Sequence, residues 1–267
     1  MSERVVLAVN DHVAIVTLNR PEKKNAADAG MFEALTRAGE SIRADSSVRA
    51  VVLCGAGGNF CAGIDIAAFQ GTEAGIAGAA RMRPQGQSPA NFYQGAAYVW
   101  KELEVPVIAA IEGYCFGAGL QIAAGADIRF SHADARLSIM EIKWGLVPDM
   151  GISVTLRDVM PVDRVRELAY SGRIVSGAEA LQLGLVTAVR EKPFESAMEL
   201  AAEIAARSPD AIRAIKHLTT KAWSQPPVDA LQTEARLQMA LIGSPNQLEA
   251  VKANLRGRKA EYRDADT

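Results

Sequence analysis

The sequence has few of the residues from which metal centres, disulfides and histidine-dependent nucleophiles are built. Its 267 residues include three cysteines and three histidines. Cys54, Cys61 and Cys115 are odd in number and lack Cys-x-x-Cys spacing, which favours reduced core thiols over disulfides or metal ligands. The histidines fall in separate segments without ligand spacing, which argues against a zinc site and a Ser-His-Asp triad. We therefore expect no bound metal.

An excess of positive charge and a long hydrophobic run are also absent. The formal net charge is -2, with 22% charged and 49% hydrophobic residues, whereas proteins that bind nucleic acid normally carry clustered Lys and Arg. No stretch approaches the roughly twenty apolar residues of a transmembrane helix, and residues 1–10 lack the apolar core of a signal peptide. The composition predicts a globular protein with one substantial core, no nucleic-acid or membrane partner, and a cytoplasmic location.

The chain has glycine-rich loops, but neither carries the complete pattern of a dinucleotide-binding loop. That fingerprint requires Gly-x-Gly-x-x-Gly. Ile122 occupies the third glycine position of one candidate loop, and Phe60 occupies it in the other. The sequence therefore argues against a bound dinucleotide.

Both glycine-rich loops follow a predicted buried strand. Val107–Ile111 is an apolar, β-branched run that enters a loop with three glycines before the helix-favouring residues 120–124. Residues 49–53 form a similar run and enter the glycine-rich segment 54–65. Two such loops side by side can each donate one backbone N–H group to a developing oxyanion. The alternative is that the glycines only permit close packing of strand and helix.

The rest of the chain predicts a hairpin at its start and helices at its end. Residues 5–9 and Val13–Leu18 are short β-rich runs around a turn, and residues 70–98 are predicted to form a surface loop that borders a binding site. From residue 194 onward the pattern is helical. An all-helical segment after a mixed body indicates an appended packing or oligomerisation unit.

Two carboxylates lie in one apolar segment, residues 140–151. On a continuous helix, Glu141 and Asp149 would lie about 12 Å apart, but Gly145 and Pro148 favour a folded-back loop that brings them closer. Burial among apolar neighbours is then expected to raise their pKa values; these neighbours are Met140, Trp144, Leu146 and Met150. Taken alone, each carboxylate is more often a solvated or capping residue.

Several segments, in order and over nearly the whole chain, resemble the crotonase superfamily of enoyl-CoA hydratases and isomerases. They are residues 14–26 (AIVTLNRPEKKNA), 60–65 (FCAGID), 106–114 (PVIAAIEGY), 117–119 (GAG) and 176–186 (SGAEALQLGLV). The resemblance implies an α/β fold, with a spiral of ββα units and the acyl-CoA site in residues 1–190 and a helical trimerisation region in residues 191–267. It further implies a homotrimer or homohexamer. The substrate would be an acyl-CoA thioester, whose coenzyme A is part of the substrate, so no separate cofactor is expected.

The resemblance also assigns roles to individual positions. Ile64 and Ala118 resemble the two residues whose backbone N–H groups hold the thioester oxygen. Further positions resemble contacts with the substrate: Lys23, Lys24, Ala26, Ala62, Asp65, Ile66 and Gln121. The tail residues Arg256, Arg258 and Lys259 resemble a basic tail that approaches the CoA phosphates, including across a subunit boundary.

Departures from the hydratase pattern select the predicted reaction. Hydratases of this family use two glutamates to hold and activate one water; Glu141 matches the second, but Gln121 stands at the first and cannot accept a proton at neutral pH. Glu141 with Asp149 resembles the dienoyl-CoA isomerase branch, although that branch commonly carries an aspartate at the Gln121 position. We predict double-bond isomerisation through a stabilised enolate. The alternatives are a hydratase that uses Glu141 with Gln121 as water holder, and a non-catalytic scaffold that binds CoA esters.

Overall fold

The computed structural model describes residues 3–66, 78, 80–84 and 88–265. The strands are β1 (Val5–Asn10), β2 (Val13–Leu18), β3 (Ala50–Gly55), β4 (Val107–Ile111), β5 (Tyr114–Phe116), β6 (Ile128–Ser131), β7 (Arg136–Ser138), β8 (Val175–Ser176) and β9 (Ala188–Val189). The helices are α1 (Ala29–Arg43), α2 (Phe92–Glu102), α3 (Ala118–Ala124), α4 (Ile152–Thr155), α5 (Val162–Ser171), α6 (Gly177–Gln182), α7 (Pro193–Ala205), α8 (Pro209–Thr220), α9 (Pro227–Leu241) and α10 (Pro245–Leu255). Short 3₁₀ turns occupy Pro21–Lys23, Ala56–Gly58, Glu141–Trp144 and Ala222–Ser224.

The strands form two sheets. The larger has the order β1-β2-β3-β4-β6-β9, and the smaller has the order β5-β7-β8. The predicted hairpin is the antiparallel pair β1 and β2, and the remaining neighbours in the larger sheet run parallel. A short connection carries β4 into β5, and α3 follows at once, so this part of the chain is one ββα unit.

Alternate residues of β3 point to opposite sides of the larger sheet. Val51 and Leu53 pack in one core cluster with Phe32 of α1 and Trp100 of α2. Val52 packs in a second cluster, against the alanines of α7. Both faces of the central strands are therefore covered, which explains why the β3 and β4 sequences are almost continuously apolar.

The helical C-terminal region divides into a buried and an exposed part. Its first helix, α7, is an integral layer against the larger sheet, because Ala197, Ala201 and Ala205 are buried there. The later helices and the 3₁₀ turn before α9 carry exposed apolar side chains, namely Trp223, Val228, Leu231, Met239 and Leu255. Exposed apolar surface of this kind is typical of contact sites. The division at residue 190 and the oligomerisation role remain predictions.

The sequence also predicted a surface loop at residues 70–98 and no transmembrane helix. Part of the predicted loop lies outside the residues that the structure describes, and α2 begins within that range, at Phe92. Among the described residues, no helix is long and apolar enough to cross a membrane.

Candidate active site

The structure brings the two glycine-rich loops side by side. Cys61 of the first loop and Cys115 in β5 form a parallel bridge. The Cys61 N–H group donates to the Tyr114 carbonyl at 2.8 Å, and the Phe116 N–H group donates to the Cys61 carbonyl at 3.0 Å. A Cβ atom added to Gly119 would lie 2.5 Å from the Cys61 carbonyl oxygen, so the close approach of the loops requires glycine there.

The N–H group of Ile64 is directed away from the segment beside it. Ala27 donates to the Gly63 carbonyl at 2.7 Å and accepts from the Asp65 N–H group at 2.9 Å. Ala27 and Ile64 thus form a parallel bridge in which Ala27 bonds to the two residues that flank Ile64. In such a bridge the N–H and C=O groups of Ile64 itself point away from Ala27. Among the described residues no partner accepts from the Ile64 N–H group, which leaves this donor available to a ligand.

The N–H group of Ala118 is available for a different reason. Ala118 is the first residue of α3, where backbone N–H groups have no partner within the helix. The preceding residue, Gly117, has φ 49° and ψ −117°, a backbone conformation that residues other than glycine rarely adopt. Its carbonyl accepts from the Gln121 N–H group at 3.0 Å, which fixes the peptide that carries the Ala118 N–H group. Each glycine loop thus presents one free donor at a position that the sequence singles out.

A buried asparagine ties the Lys23–Lys24 turn to the first glycine loop. Asn25 is fully buried, and its side-chain amide donates to the carbonyls of Ala56 at 2.9 Å and Asn59 at 2.7 Å. Its oxygen accepts from the Arg20 N–H group at 2.8 Å. The Asn25 side chain therefore joins the turn that follows β2 to the first glycine loop, which follows β3.

Replacing Asn25 with alanine is expected to lower the free energy of unfolding by about 2–4 kcal/mol, because three part-buried backbone groups lose their hydrogen-bond partner. Asn25 also has φ 57°, which alanine adopts poorly. Asn25→Gly tolerates this φ and isolates the hydrogen bonds. Urea unfolding of both variants measures the change, with Asn10→Ala as the control at an exposed asparagine. Equal stability of Asn25→Gly and the parent protein would contradict the role of these bonds.

An ion pair supports the same loop. The Arg20 guanidinium lies 2.7 Å from a carboxylate oxygen of Asp65 and donates to the Ala26 carbonyl at 2.9 Å. Both side chains are largely buried. Asp65 and Ala26 thus hold the chain around Ile64, and their direct contact with a substrate remains a prediction.

The remaining residues predicted near the CoA group surround this loop. The Lys24 ammonium lies 4.4 Å from the centre of the Tyr114 ring, and the Lys24 carbonyl accepts from the Ala62 N–H group at 2.9 Å. Lys23 is exposed, and Ile66 is 45% exposed. Both lysines and Ile66 are therefore accessible to a ligand beside the first loop.

The basic tail is held elsewhere within the single chain. Arg258 pairs with Glu249 through bonds of 2.5 and 2.9 Å. Tyr262 and Asp264, downstream of Arg256 and Lys259, are both bonded to Arg49, which immediately precedes β3. Arg49 lies at the end of β3 opposite the glycine loop. Among the described contacts, none joins the tail to the glycine loops of its own chain, and its contact with CoA remains a prediction.

Glu141 lies against the second glycine loop and is held by Gln121. A Cβ atom added to Gly117 would lie 3.4 Å from Glu141 Oε1. Gln121 Nε2 donates to that oxygen at 2.7 Å, while Gln121 Oε1 accepts from the Met150 N–H group at 2.8 Å. The other oxygen, Glu141 Oε2, is buried and has no hydrogen-bond partner among the described residues. The free oxygen is the one available to a substrate proton.

The two carboxylates are both shifted towards their protonated forms. Burial, the largest influence, raises the pKa of Glu141; bonds from its own N–H group and from Gln121 oppose the shift, and the negative charge of Asp149 adds to it. Burial likewise raises the pKa of Asp149, against a bond from its own N–H group. The influence of Asp149 on Glu141 requires the folded-back loop that Gly145 and Pro148 predict. Gly145 indeed has a left-handed φ of 69°.

The expected apolar surroundings are only partly correct. Met150 is buried, but Trp144 is 52% and Leu146 is 58% exposed. The chain reverses at Gly145, where Trp144 and Leu146 are exposed to solvent. The Glu141 carboxylate instead lies against Gly117 of the second glycine loop and Gln121.

Sequence reasoning missed two residues of this region. Asn25 was visible only as part of the segment 14–26 that resembles the family, although the tolerance of asparagine for a left-handed φ is a signal that the sequence contains. Tyr93 of α2 is 5% exposed, and burial raises its pKa, with the charge of Asp149 adding to the shift. No spacing in the sequence connects Tyr93 with Asp149.

The two sheets with their ββα unit, the paired glycine loops and the carboxylate against Gly117 define a crotonase-fold protein. The family model for enoyl-CoA hydratase/isomerase matches residues 8–265, and the chain belongs to this family of the crotonase superfamily. An enoyl-CoA hydratase of Mycobacterium tuberculosis is 31% identical over 249 residues, which cover 91% of this chain and 90% of that protein. A mitochondrial Delta(3,5)-Delta(2,4)-dienoyl-CoA isomerase of Mus musculus is 32% identical over 267 residues, which cover 95% of this chain and 79% of that protein.

The fold comparison agrees. The crystal structure of enoyl-CoA hydratase from Bacillus anthracis superposes with a TM-score of 0.89 at 27% identity and covers 98% of this chain and 100% of that one. The α/β crotonase-like fold predicted from the sequence is confirmed. The relatives include both a hydratase and an isomerase, so the family assignment leaves the choice of reaction to the residues of the site.

Proposed function

We propose that the protein binds an acyl-CoA thioester and shifts double bonds in an enoyl- or dienoyl-CoA through an enolate. The observation that carries the proposal is the pair Glu141 and Asp149, two half-buried carboxylates with raised pKa values, one of which lies against the second glycine loop. Isomerisation needs one group that removes a proton and another that returns it, and this pair supplies both.

The free N–H groups of Ile64 and Ala118 would hold the thioester oxygen. An α-proton of a thioester is too weakly acidic to be removed unless the enolate oxygen is stabilised, and loss of one such donor typically costs about 2.7–4 kcal/mol. Backbone donors do not depend on side-chain type, so isoleucine and alanine are compatible with this role. The backbone bonds between the two glycine loops hold both N–H groups in fixed positions, which favours a preorganised oxyanion site.

The proton steps balance within the carboxylate pair. Ionised Glu141 takes a proton from the α-carbon, and the electrons of that C–H bond move into a conjugated enolate. Protonated Asp149 gives its proton to the far end of the conjugated system, where a new C–H bond forms. Glu141 ends protonated and Asp149 ionised, and exchange with solvent restores the starting state. Glu141 is placed at the α-carbon because its carboxylate lies beside Gly117, next to the donor Ala118.

Hydration of a 2-enoyl-CoA is the second candidate, supported by the curated hydratase relative. In that reaction Glu141 would transfer the proton and Gln121 would hold the water. Gln121 is 2% exposed, and both ends of its amide are bonded to the protein, which favours isomerisation. A CoA-ester-binding scaffold without activity is the third candidate.

Purified protein incubated with crotonyl-CoA and with a 3,5-dienoyl-CoA, and followed by ultraviolet absorbance, separates the candidates. We expect the dienoyl substrate to gain the absorbance of a conjugated 2,4-dienoyl thioester. Rapid loss of the enoyl absorbance of crotonyl-CoA, without activity on the dienoyl-CoA, would favour the hydratase. Binding of both esters without conversion of either would favour the scaffold.

The rate of isomerisation is expected to follow a bell-shaped pH profile at higher pH than two ordinary exposed carboxyls would give. Acid protonates the base and alkali ionises the acid, so activity is lost on both sides. Since the pKa values of Glu141 and Asp149 are both raised, both limbs shift upwards. Initial rates at saturating dienoyl-CoA across the pH range measure the profile. An acid limb at the pH of free carboxyl groups would contradict the assignment.

A further inference from the structure

The amide of Gln121 is the link between the two segments that carry the carboxylates. It lies in α3, immediately after the second glycine loop, and is 2% exposed. Through its nitrogen it reaches Glu141, and through its oxygen it reaches the backbone of Met150, the neighbour of Asp149. No other described side chain bonds to the Glu141 carboxylate.

The orientation of this amide follows from its partners. The Met150 N–H group is a donor, so it requires the oxygen of Gln121. The nitrogen must then face Glu141, where an ionised carboxylate is the matching acceptor. A flipped amide would place two donors together on one side and two acceptors on the other. Glu141 is thereby bonded at Oε1, while Oε2 stays free.

We infer that Gln121 is a positioning residue that holds Glu141 with a single reactive oxygen and favours proton transfer over the addition of water. The inference rests on the proposed function for its choice of reaction, but the positioning of Glu141 can be tested without it. A bond from a neutral donor stabilises the ionised base without adding a second proton acceptor beside it.

A glutamate at this position would have the opposite effect. Its carboxylate would replace a donor that lies 2.7 Å from Glu141 Oε1, and two carboxylates at that separation cannot both ionise readily. The pair would share a proton, so the pKa of Glu141 would rise further. Such a pair can also hold and activate a water molecule, which a glutamine bonded at both ends does not.

The test compares Gln121→Met and Gln121→Glu with the parent protein. Gln121→Met removes both hydrogen bonds at similar side-chain volume, whereas Gln121→Glu retains an acceptor for the Met150 N–H group and so protects the fold if the first variant fails. Gln182→Glu, the same chemical change at an exposed position of α6, is the matched control. Thermal unfolding and butyryl-CoA binding are measured for all variants.

The main readout is exchange of the α-protons of butyryl-CoA in D₂O, followed by NMR across pH. This reaction needs the base and the oxyanion donors but no double bond. We expect Gln121→Met to shift the acid limb of exchange to higher pH and to exchange about 10–100-fold more slowly at pH values below that limb, because the loss of one hydrogen bond to a charged group leaves less Glu141 ionised. Gln121→Glu should shift that limb further and add water to crotonyl-CoA faster than the parent protein does.

The outcomes separate this inference from the proposed function. An unchanged acid limb and exchange rate in folded Gln121→Met and Gln121→Glu would overturn the positioning role. A shifted limb in a protein that converts no dienoyl-CoA would support the positioning role and overturn the proposed isomerase. A shifted limb without gain of hydration in Gln121→Glu would overturn the part of the inference that concerns water addition.

Discussion

Glu141→Gln is expected to lower the rate of dienoyl-CoA isomerisation by about 10²–10⁴, the usual contribution of a positioned general base. The neutral amide cannot accept the α-proton. It can still accept the bond that Gln121 Nε2 gives to Glu141 Oε1, so the geometry of the loop should be retained. Affinity for an acyl-CoA should change by less than about twofold, because the loss falls on the transition state.

Stopped-flow absorbance with a 3,5-dienoyl-CoA measures the rate, and calorimetric titration with butyryl-CoA measures the affinity. Glu203→Gln makes the same chemical change at an exposed position of α7 and serves as the control. Retention of more than about a tenth of the parent activity would remove Glu141 as the base. Equal losses of affinity and rate would instead indicate that the variant disturbs the binding site.

The raised pKa of Glu141 also predicts the effect of this substitution on stability. A carboxyl whose folded pKa lies above its unfolded value opposes folding when it is ionised. This penalty is complete above the folded pKa, shrinks as pH falls below it, and is gone below the unfolded pKa. Glu141→Gln should therefore be at least as stable as the parent at neutral pH, and the two should converge on acidification. A loss of activity with retained stability is the behaviour expected of a group kept for function rather than for folding.

The main elements around the site follow from local signals in the sequence. β3 and β4 are continuous apolar runs, and the loops after them concentrate glycine where the backbone requires it, as at Gly63 with φ 98° and Gly117 with φ 49°. Gly145 likewise predicts the reversal between Glu141 and Asp149. Such features depend on residues close in the chain, so the sequence alone contains the necessary information.

Contacts between distant side chains could not be predicted in the same way. Gln121 was expected to hold water only in the alternative hydratase mechanism, and no spacing in the sequence indicates that its amide joins Glu141 to Met150, 29 residues further along the chain from Gln121. Asn25 reaches Asn59, 34 residues away. Apolar character alone also wrongly predicted that Trp144 and Leu146 would enclose the carboxylates. In each case the side chain's partner is set by the packing of separate elements.

Asp149→Asn is expected to abolish isomerisation, with a loss of about 10²–10⁴ in rate, while sparing the first proton step. Asparagine cannot return a proton to the far end of the enolate. Glu141 and the N–H groups of Ile64 and Ala118 remain, so α-proton exchange of butyryl-CoA in D₂O should continue.

This separation of exchange from isomerisation distinguishes the two carboxylates. In Glu141→Gln both reactions should be lost, and in Asp149→Asn only isomerisation should be lost. Asp158→Asn, at an exposed aspartate, is the control for the chemical change. Unchanged turnover in Asp149→Asn would remove Asp149 from the mechanism. Loss of exchange in Asp149→Asn but not in Glu141→Gln would reverse the two roles and place Asp149 at the α-carbon, even though the structure places the Glu141 carboxylate against the glycine that precedes Ala118.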